Sequence, residues 1–142
     1  MPTYKTSTLI SAKPETVWNL LSNVAGWANW LPTITSIKPL DGDPLKIGAR
    51  YTIVQPKLQP ATWTVTLVEP PRRFVWESKV PGMNTVGDHV IEEVSPGKVQ
   101  VTLSITFSGF LSGLIALMYG SLTQTYIETE AQTLKQKTEP KI

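Results

Sequence analysis

The stretch that decides the fold is SGFLSGLIALMYGSLTQTYIETEAQTLKQKTE, from Ser108 to Glu139. It contains no proline, and the first one that follows is Pro140, so it can form an uninterrupted helix longer than any other segment allows. The residues before it read as short segments between turns, apart from a helical patch near Trp18. A run of strands followed by one long amphipathic helix predicts a sheet wrapped around that helix, an arrangement that often encloses a cavity.

The apolar residues of this helix fall on two stripes at 100° per residue. The first stripe consists of Leu111, Leu114, Ile115, Met118, Leu122 and Tyr126. The second, rotated around the axis, consists of Ile127, Ala131 and Leu134. Since a straight helix cannot point both stripes at one flat surface, either the helix bends or its C-terminal half is flanked on a second side. We predict that the first half is the cavity wall and the second half a structural clamp.

Two glycines, Gly113 and Gly120, interrupt the first half, and each costs about 1 kcal/mol relative to alanine in a helix interior. They indicate close packing or a slight kink, or else room for a ligand or a flexible gate beside the helix. Phe110 and Leu117 lie off the first stripe. If these two residues are exposed, they extend an apolar patch suited to a membrane surface or a partner protein.

Length and composition predict one globular domain over residues 1–142. Hydrophobic residues make up 41% of the chain and charged residues 17%, which is typical of a globular protein. A formal net charge of +2 is too small to indicate nucleic-acid binding. The absence of cysteine excludes disulfides, thiolate catalysis and cysteine-ligated metals. The N-terminus has no long apolar segment and Phe110–Leu122 is too short to span a bilayer, so we expect a soluble, cytoplasmic protein.

The chain before the long helix predicts one strand, two short helices and then six strands. The first strand is Tyr4–Ser11, and Pro14 then begins a helix. Trp27 and Trp30, at helical spacing, predict a second, very short helix before Pro32. The later strands are predicted at Ile34–Leu40, Arg50–Gln55, Thr62–Glu69, Arg73–Val80, Thr85–Val94 and Lys98–Phe107.

Alternation within these strands predicts which faces are buried. In the last strand every second residue is apolar and the residues between them are polar. In the fourth strand the same pattern puts Trp63, Val65 and Leu67 on one face. A sheet that is dry on one side and wet on the other is antiparallel. Asp41–Pro44 is predicted as one of the connecting turns.

Segments along the whole chain carry a resemblance to a known superfamily. They are Ile10–Trp18 (ISAKPETVW), Trp27–Pro32 (WANWLP), Gly48–Arg50 (GAR), Glu69–Trp76 (EPPRRFVW) and the terminal helix. On these residues the chain resembles the START-like (SRPBCC) superfamily, which includes polyketide cyclase/dehydratase-like proteins. The resemblance implies the α+β helix-grip fold: a seven-stranded curved antiparallel sheet around the C-terminal helix, with two short helices between strands 1 and 2. It also implies an apolar cavity, since members bind lipids, sterols, quinones, hormones or polyketides, and some are enzymes.

The residues expected to line such a cavity are mostly aromatic or aliphatic. Our candidate ligand-binding residues are Trp30, Tyr51, Trp63, Trp76, His89, Leu103, Ile115, Met118, Leu122 and Tyr126. Trp30 is expected at the mouth. Tyr51, rather than Arg50, is expected to point inward, because neighbouring residues of a strand face opposite sides. The tryptophans could equally be filling the core.

His89 is the only histidine, so a multi-histidine metal site is excluded, and we predict neither a metal nor a cofactor. Its position places it on the same strand face as Ile91, which the resemblance implies is the inner face. It is the one side chain whose ordinary pKa suits general acid–base work near neutral pH, so it is the candidate catalytic residue. The other interpretation is a buried histidine that only hydrogen-bonds in the core.

Three functions are compatible with these residues. The first is a carrier or sensor that binds a small hydrophobic ligand (a lipid, a quinone or a polyketide-like molecule) between the first half of the helix and the strands. The second is an enzyme of the cyclase or dehydratase type, in which His89 moves protons. The third is a module that docks on a protein or a membrane through the apolar helix face or Trp27–Pro32. A nucleic-acid partner is not expected, whereas a transient membrane contact is compatible with the apolar helix.

Overall fold

A computed structural model describes residues 1–42 and 45–140. Within them the strands are β1 (Thr3–Ile10), β2 (Ser36–Pro39), β3 (Arg50–Val54), β4 (Ala61–Glu69), β5 (Arg73–Val80), β6 (Met83–Ser95) and β7 (Lys98–Ser108). The helices are α1 (Pro14–Ser22), a 3₁₀ helix (Val24–Asn29) and α2 (Ser112–Thr138). The predicted elements occur in the predicted order, with ends that differ by a few residues. Of the predicted turn Asp41–Pro44, Asp43 and Pro44 lie outside the described residues.

The strands of the described residues form one antiparallel sheet in the order β1-β7-β6-β5-β4-β3-β2. The N-terminal strand pairs with the last one, so that Ile10 lies opposite Val99 and Thr3 opposite Thr106. Helix α2 packs against β1, β7 and α1. It therefore covers one side of the sheet and leaves a space over the inner face of the strands from β3 to β6. The predicted α+β helix-grip fold, with two short helices between β1 and β2, is confirmed.

The strongest predicted strand, β7, has the predicted buried face. Val99, Val101, Leu103 and Phe107 are all at most 5% exposed. Burial of these branched and aromatic side chains removes apolar area from water, at about 25 cal/mol per Å². These alternate residues of β7 therefore contribute to the core, and α2 packs against this strand.

The two short helices close one end of the sheet. The apolar face of α1 buries Val17, Trp18 and Leu21. The ring of Trp18 meets that of Phe74 edge-on, with 6.4 Å between centroids. Trp27, in the 3₁₀ helix, donates its indole N–H to the carbonyl oxygen of Leu21 at 2.9 Å, which satisfies the polar group that a buried tryptophan brings with it. Trp27 is thereby fixed over the inner face of the sheet.

The face predicted for β4 is wrong beyond Val65. Val65 pairs with Trp76 of β5, but Leu67 pairs with the preceding residue of that strand, Val75. This β-bulge adds one residue to β4 and moves Leu67 to the opposite face. Val68 packs against the core in its place. The alternating pattern could not reveal the bulge, because both residues after it are apolar.

The packed face of α2 differs from the predicted first stripe. Leu114 and Met118 are 54% and 61% exposed, so the prediction that they face the sheet is wrong. The buried residues of α2 are Gly120, Ile127, Ala131, Leu134 and Thr138. The predicted second stripe, Ile127, Ala131 and Leu134, is therefore confirmed as a packed face. Toward the N-terminus this face continues at Gly120. Because one stripe accounts for this burial, the two predicted stripes do not require a bend in α2.

Gly120 allows α2 to approach β1 closely. A carbon atom added at Gly120 would overlap the hydroxyl of Tyr4. The ring of Tyr4 in turn packs on Phe107 of β7, with 5.7 Å between centroids. The close-packing interpretation is therefore confirmed for Gly120. A carbon added at Gly113 would meet nothing within 4 Å, so that glycine has no packing role.

Replacing Gly120 by alanine should lower the free energy of unfolding by about 1–2 kcal/mol, because the cost of overpacking exceeds the gain in helix propensity. Urea unfolding followed by tryptophan fluorescence measures the change. Gly113→Ala is the matched control and should leave the stability unchanged or raise it by up to about 1 kcal/mol, since its surroundings are open. Equal effects of the two substitutions would contradict the contact assigned to Gly120.

Candidate ligand-binding cavity

A cavity of about 420 Å³ lies between α2 and the inner face of the sheet. Its wall comes from the strands β3 to β7, the 3₁₀ helix, the loop at residues 55–60 and the first two-thirds of α2. Most of the lining side chains are aliphatic or aromatic. The polar minority includes Gln55, Ser78, Thr85, His89 and Glu130. The cavity can therefore enclose an apolar molecule and offer it a few hydrogen bonds.

Half of the predicted ligand-binding residues line this cavity. They are Trp63, Trp76, His89, Ile115 and Tyr126. The first three lie on the neighbouring strands β4, β5 and β6. Ile115 and Tyr126 lie on α2, about three helical turns apart. The contact of all five with a ligand stays a prediction.

The other predicted residues lie elsewhere and are not part of the lining. Tyr51 and Leu103 are buried in the core, 0% and 4% exposed. Trp30 packs against the edge of the core and does not reach the cavity. Met118 faces outward and Leu122 is half-buried outside the cavity, because the packed face of α2 is centred on Gly120 instead of on these larger residues.

Tyr51 packs against one residue of the cavity wall. As predicted, Tyr51 points inward, whereas Arg50 points outward and forms an ion pair with Asp41 at 3.0 Å. The ring of Tyr51 lies 6.0 Å from that of Trp76, which does line the cavity. Tyr51 therefore helps to hold a lining residue in place.

Three tryptophans form a continuous aromatic wall. Trp76 is at the centre, with its ring centroid 5.4 Å from that of Trp63 and 5.2 Å from that of Trp27. The indole of Trp76 fits because its partner on β6 is Gly87, where an added carbon would meet the indole nitrogen. This wall offers a large apolar surface to a ligand with rings or a chain.

His89 is a neutral hydrogen-bonding group in this cavity. Its Nδ1 lies 3.1 Å from the carbonyl oxygen of Phe74, and because a carbonyl only accepts, Nδ1 carries the proton and Nε2 keeps a lone pair. Burial lowers the pKa of His89 to about 4, against smaller opposing effects of that hydrogen bond and of Asp88. At neutral pH His89 is therefore an acceptor and a weak base.

Glu130 is a second titratable group, which the sequence reasoning missed. Its side chain lines the cavity, and Thr33 donates a hydrogen bond to its Oε2 at 3.2 Å. Burial raises the pKa of Glu130 to about 7, and the bond from Thr33 opposes that shift. Thr33 is itself held by Gln55, whose Nε2 donates to the Thr33 carbonyl oxygen at 3.2 Å. A signal was present, because Glu130 follows Ile127 by three residues and so shares its helix face.

The mouth of the cavity lies between α2, the loop at residues 55–60 and the turn after β5. Tyr126 donates its hydroxyl to the carbonyl oxygen of Pro56 and so ties α2 to that loop, and burial raises the pKa of this tyrosine. Gln59 and Val80 line the cavity while remaining exposed to solvent. A ligand could therefore enter beside the N-terminal half of α2.

An antiparallel sheet that grips a long helix around an apolar cavity defines the helix-grip class of protein. Among residues 1–42 and 45–140, no group of three or more histidine, aspartate or glutamate side chains is placed to hold a metal ion. The helices in that part of the chain are also too short or too polar to cross a membrane.

The chain belongs to the family described as polyketide cyclase / dehydrase and lipid transport, whose model matches residues 1–139. The predicted membership of the START-like superfamily is thereby confirmed. A comparison with curated proteins gave no match.

Solved structures share the fold at low sequence identity. The hypothetical protein jhp0584 of Helicobacter pylori superposes with a TM-score of 0.84 at 13% identity, over 97% of this chain and 88% of the other. The ZhuI aromatase/cyclase of Streptomyces sp. R1128 gives a TM-score of 0.76 at 15% identity, over 96% and 93%. A START superfamily protein of Mycobacterium smegmatis gives 0.75 at 15% identity, over 96% of each chain. At these identities the likeness establishes the fold alone.

His89 and Glu130 should give opposite pH dependences to the free energy of unfolding. The pKa of His89 falls from 6.5 to about 4 on folding, so its contribution is complete above pH 6.5 and is lost as the pH falls toward 4. The pKa of Glu130 rises from 4.5 to about 7, so its contribution is complete below pH 4.5 and is lost as the pH rises toward 7. Each effect amounts to about 3 kcal/mol in full, and the two oppose each other where they overlap.

Single substitutions should separate the two pH dependences of the free energy of unfolding. Relative to the wild type, acidification from pH 6.5 to 4 should lower the free energy of unfolding of Glu130→Gln, which keeps only the His89 effect. Acidification from pH 7 to 4.5 should raise that of His89→Asn, which keeps only the Glu130 effect. Urea titrations at intervals of pH measure both. A wild-type profile in both variants would contradict the opposite pKa shifts of these two groups.

Proposed function

We propose that this protein binds a small hydrophobic ligand, of the lipid, quinone or polyketide-like kind, in the cavity between α2 and the sheet, as a carrier or sensor. The observation that carries the proposal is a space of about 420 Å³ with a largely apolar and aromatic lining. Ligand pockets commonly measure about 300–1,000 Å³ and have a similar lining.

The arrangement of the lining supports a definite way of binding. The tryptophan wall around Trp76 would cover the apolar body of the ligand, and the Nε2 atom of His89 would accept a hydrogen bond from a ligand that carries a hydroxyl group. The mouth beside Val80 would admit the ligand without unfolding of the sheet. The family description, which names lipid transport as well as polyketide cyclase and dehydrase, supports the same ligand classes.

A reaction of the cyclase or dehydratase type is the second candidate. It is favoured by the presence in one cavity of a lone-pair acceptor, His89, and a protonatable carboxyl, Glu130, whose pKa values are shifted in opposite directions. Pairs of this kind serve as base and acid in enzymes. The likeness to the ZhuI aromatase/cyclase points the same way. Because a base with a pKa of about 4 is weak at neutral pH, ligand binding is the better supported function.

A bulky residue inside the cavity should abolish binding. Ala61 lines the cavity, whereas Thr62 lies on the opposite, exposed face of β4. Ala61→Trp should weaken binding of the neutral fluorescent probe N-phenyl-1-naphthylamine at least about tenfold, because its side chain occupies the ligand volume. Native mass spectrometry of the purified wild type should show an adduct that the variant lacks.

Thr62→Trp is the matched control for this test. It adds the same side chain to the same strand outside the cavity and should bind the probe like the wild type. Equal affinity of the probe for both variants and the wild type would contradict binding in this cavity, and so would failure of the wild type to bind any hydrophobic molecule.

The first half of α2, together with Phe110 just before it, presents an exposed helix patch that supports loading from a lipid surface. The patch consists of Phe110, Leu114, Leu117 and Met118, which are 87%, 54%, 84% and 61% exposed. It adjoins the mouth, because Phe110 packs beside Gly82 in the turn that follows Val80. No charged residue occurs between Lys98 and Glu128. An uncharged apolar surface next to an apolar cavity suits a transient contact with a membrane.

Removing apolar surface from the exposed helix patch should slow ligand delivery. The double substitution Phe110→Ser and Leu117→Ser should reduce the rate of probe transfer from phosphatidylcholine vesicles about tenfold, because less apolar area enters the interface. The equilibrium affinity for the free probe should not change, since neither side chain lines the cavity.

Ile47→Ser is the control for the exposed helix patch, because Ile47 is also 65% exposed but lies between β2 and β3, outside the patch. It should transfer the probe at the wild-type rate. Wild-type transfer should also be insensitive to salt, since the patch carries no charge. Transfer that slows in high salt, or equally in both variants, would contradict a contact through this patch.

A further inference from the structure

The charge of the cavity lining is one-sided. Among the described residues, the lining contains one carboxyl group, that of Glu130, and no lysine or arginine. The polar groups that accompany it are uncharged: hydroxyls, amides, and the imidazole of His89 with its free lone pair. The cavity therefore has nothing to neutralise an anionic headgroup, and it holds one group that would repel it.

Among the residues that the structure describes, one side chain donates a hydrogen bond to Glu130: the hydroxyl of Thr33, 3.2 Å from Oε2. A carboxylate in apolar surroundings needs several donors or a cation to stay ionised, whereas a neutral carboxyl needs far less. Protonated, Glu130 has both a donor and an acceptor to offer, and it faces the space that the ligand would fill.

We propose that the cavity selects an uncharged ligand whose polar group hydrogen-bonds to the protonated carboxyl of Glu130, and that it rejects carboxylates, phosphates and sulfonates. This inference rests on the proposed function and narrows it to a class: alcohols, ketones, quinones or phenols with an apolar body. Glu130 is then the specificity-determining residue of the site.

The surroundings of Glu130 link this selection to pH. Its pKa is raised to about 7 by burial, and a bound apolar ligand would exclude more water and raise it further. The other titratable side chains that face the cavity are His89 from β6 and Tyr119 and Tyr126 from α2 itself. None of them is a cation at neutral pH, and no further titratable group occurs among the lining residues in the described part of the chain. Ionisation of Glu130 should therefore oppose ligand binding without compensation.

A cationic ligand is the alternative that this geometry must be tested against. A single carboxylate with aromatic rings nearby can hold an amine. However, taking two opposite charges out of water costs more free energy than their attraction returns unless further hydrogen bonds complete the site. Within the described part of the chain, Thr33 alone donates to the carboxyl. An amine ligand would also bind more tightly as the pH rises, which is the opposite of the proposed behaviour.

The test uses three ligands of equal chain length to displace N-phenyl-1-naphthylamine: 1-decanol, decanesulfonate and decyltrimethylammonium. Decanol should bind the wild type at pH 6 and weaken up to about tenfold per pH unit above pH 7, because each proton lost from Glu130 must be regained on binding. Decanesulfonate should bind at least about 100-fold more weakly than decanol at every pH. Tighter binding of decanesulfonate than this, or binding of decyltrimethylammonium that strengthens with pH and exceeds that of decanol, would overturn the proposal.

Three variants assign the effect to Glu130. Glu130→Gln should keep the affinity for decanol and lose its pH dependence, while Glu128→Gln, two residues away and exposed, should retain it. Thr33→Val should move the loss of affinity to higher pH, since the Thr33 hydrogen bond lowers the pKa of Glu130. A wild-type pH dependence in Glu130→Gln would overturn this inference and leave the proposed function standing. If neither the probe nor decanol binds the wild type, the proposed function fails, and this inference with it.

Discussion

The architecture depends on the contact between Gly120 of α2 and Tyr4 of β1. Without a side chain at this point the helix comes down onto the β1 and β7 edge of the sheet, where Tyr4 and Phe107 receive it. The helix is thereby held at one side, and the inner face from β3 to β6 stays uncovered. Across that gap the contact from Tyr126 to Pro56 fixes the helix to the opposite loop. The cavity is thus a consequence of where the helix is allowed to pack closely.

The polar groups that line this cavity reduce the stability of the fold in a way that packing alone does not explain. At neutral pH His89 must remain uncharged and Glu130 is held near its titration point, so each gives up hydration without a full set of partners. Leucine at either position would remove that cost. Residues that lower the stability of the fold are expected at functional sites, where the function and not the stability determines which residue is present. His89 on β6 and Glu130 on α2 give the cavity a hydrogen-bond acceptor and a protonatable carboxyl, which is the kind of costly polar pair expected in a binding site.

Sequence reasoning predicted the elements well, because strand and helix periodicity are local properties. The alternation in β7 identified its buried face correctly. The same alternation predicted the wrong face for the end of β4. There the bulge after Val65 turns Val68 toward the core in place of Leu67, and both residues are apolar. A register shift is set by pairing with β5, which the sequence of one strand does not contain.

The candidate site was predicted less completely, for a related reason. Trp63, Trp76 and His89 were found because strand parity places them on the inner face. Met118 was misplaced and Glu130 was missed, because hydrophobicity was used to choose the inward face of α2. The face is in fact chosen by size at Gly120, where only hydrogen fits against Tyr4. Once Gly120 is known to face the sheet, helical spacing identifies the other buried residues of α2, and it places Leu114, Leu117 and Met118 on the exposed side. In the first half of α2, Ile115, Tyr119 and Thr123 therefore line the cavity, while Leu114, Leu117 and Met118 are exposed on the outer side. An apolar outer face beside an apolar cavity is the arrangement that the proposed loading from a lipid surface requires, because the ligand can pass from one apolar environment to another.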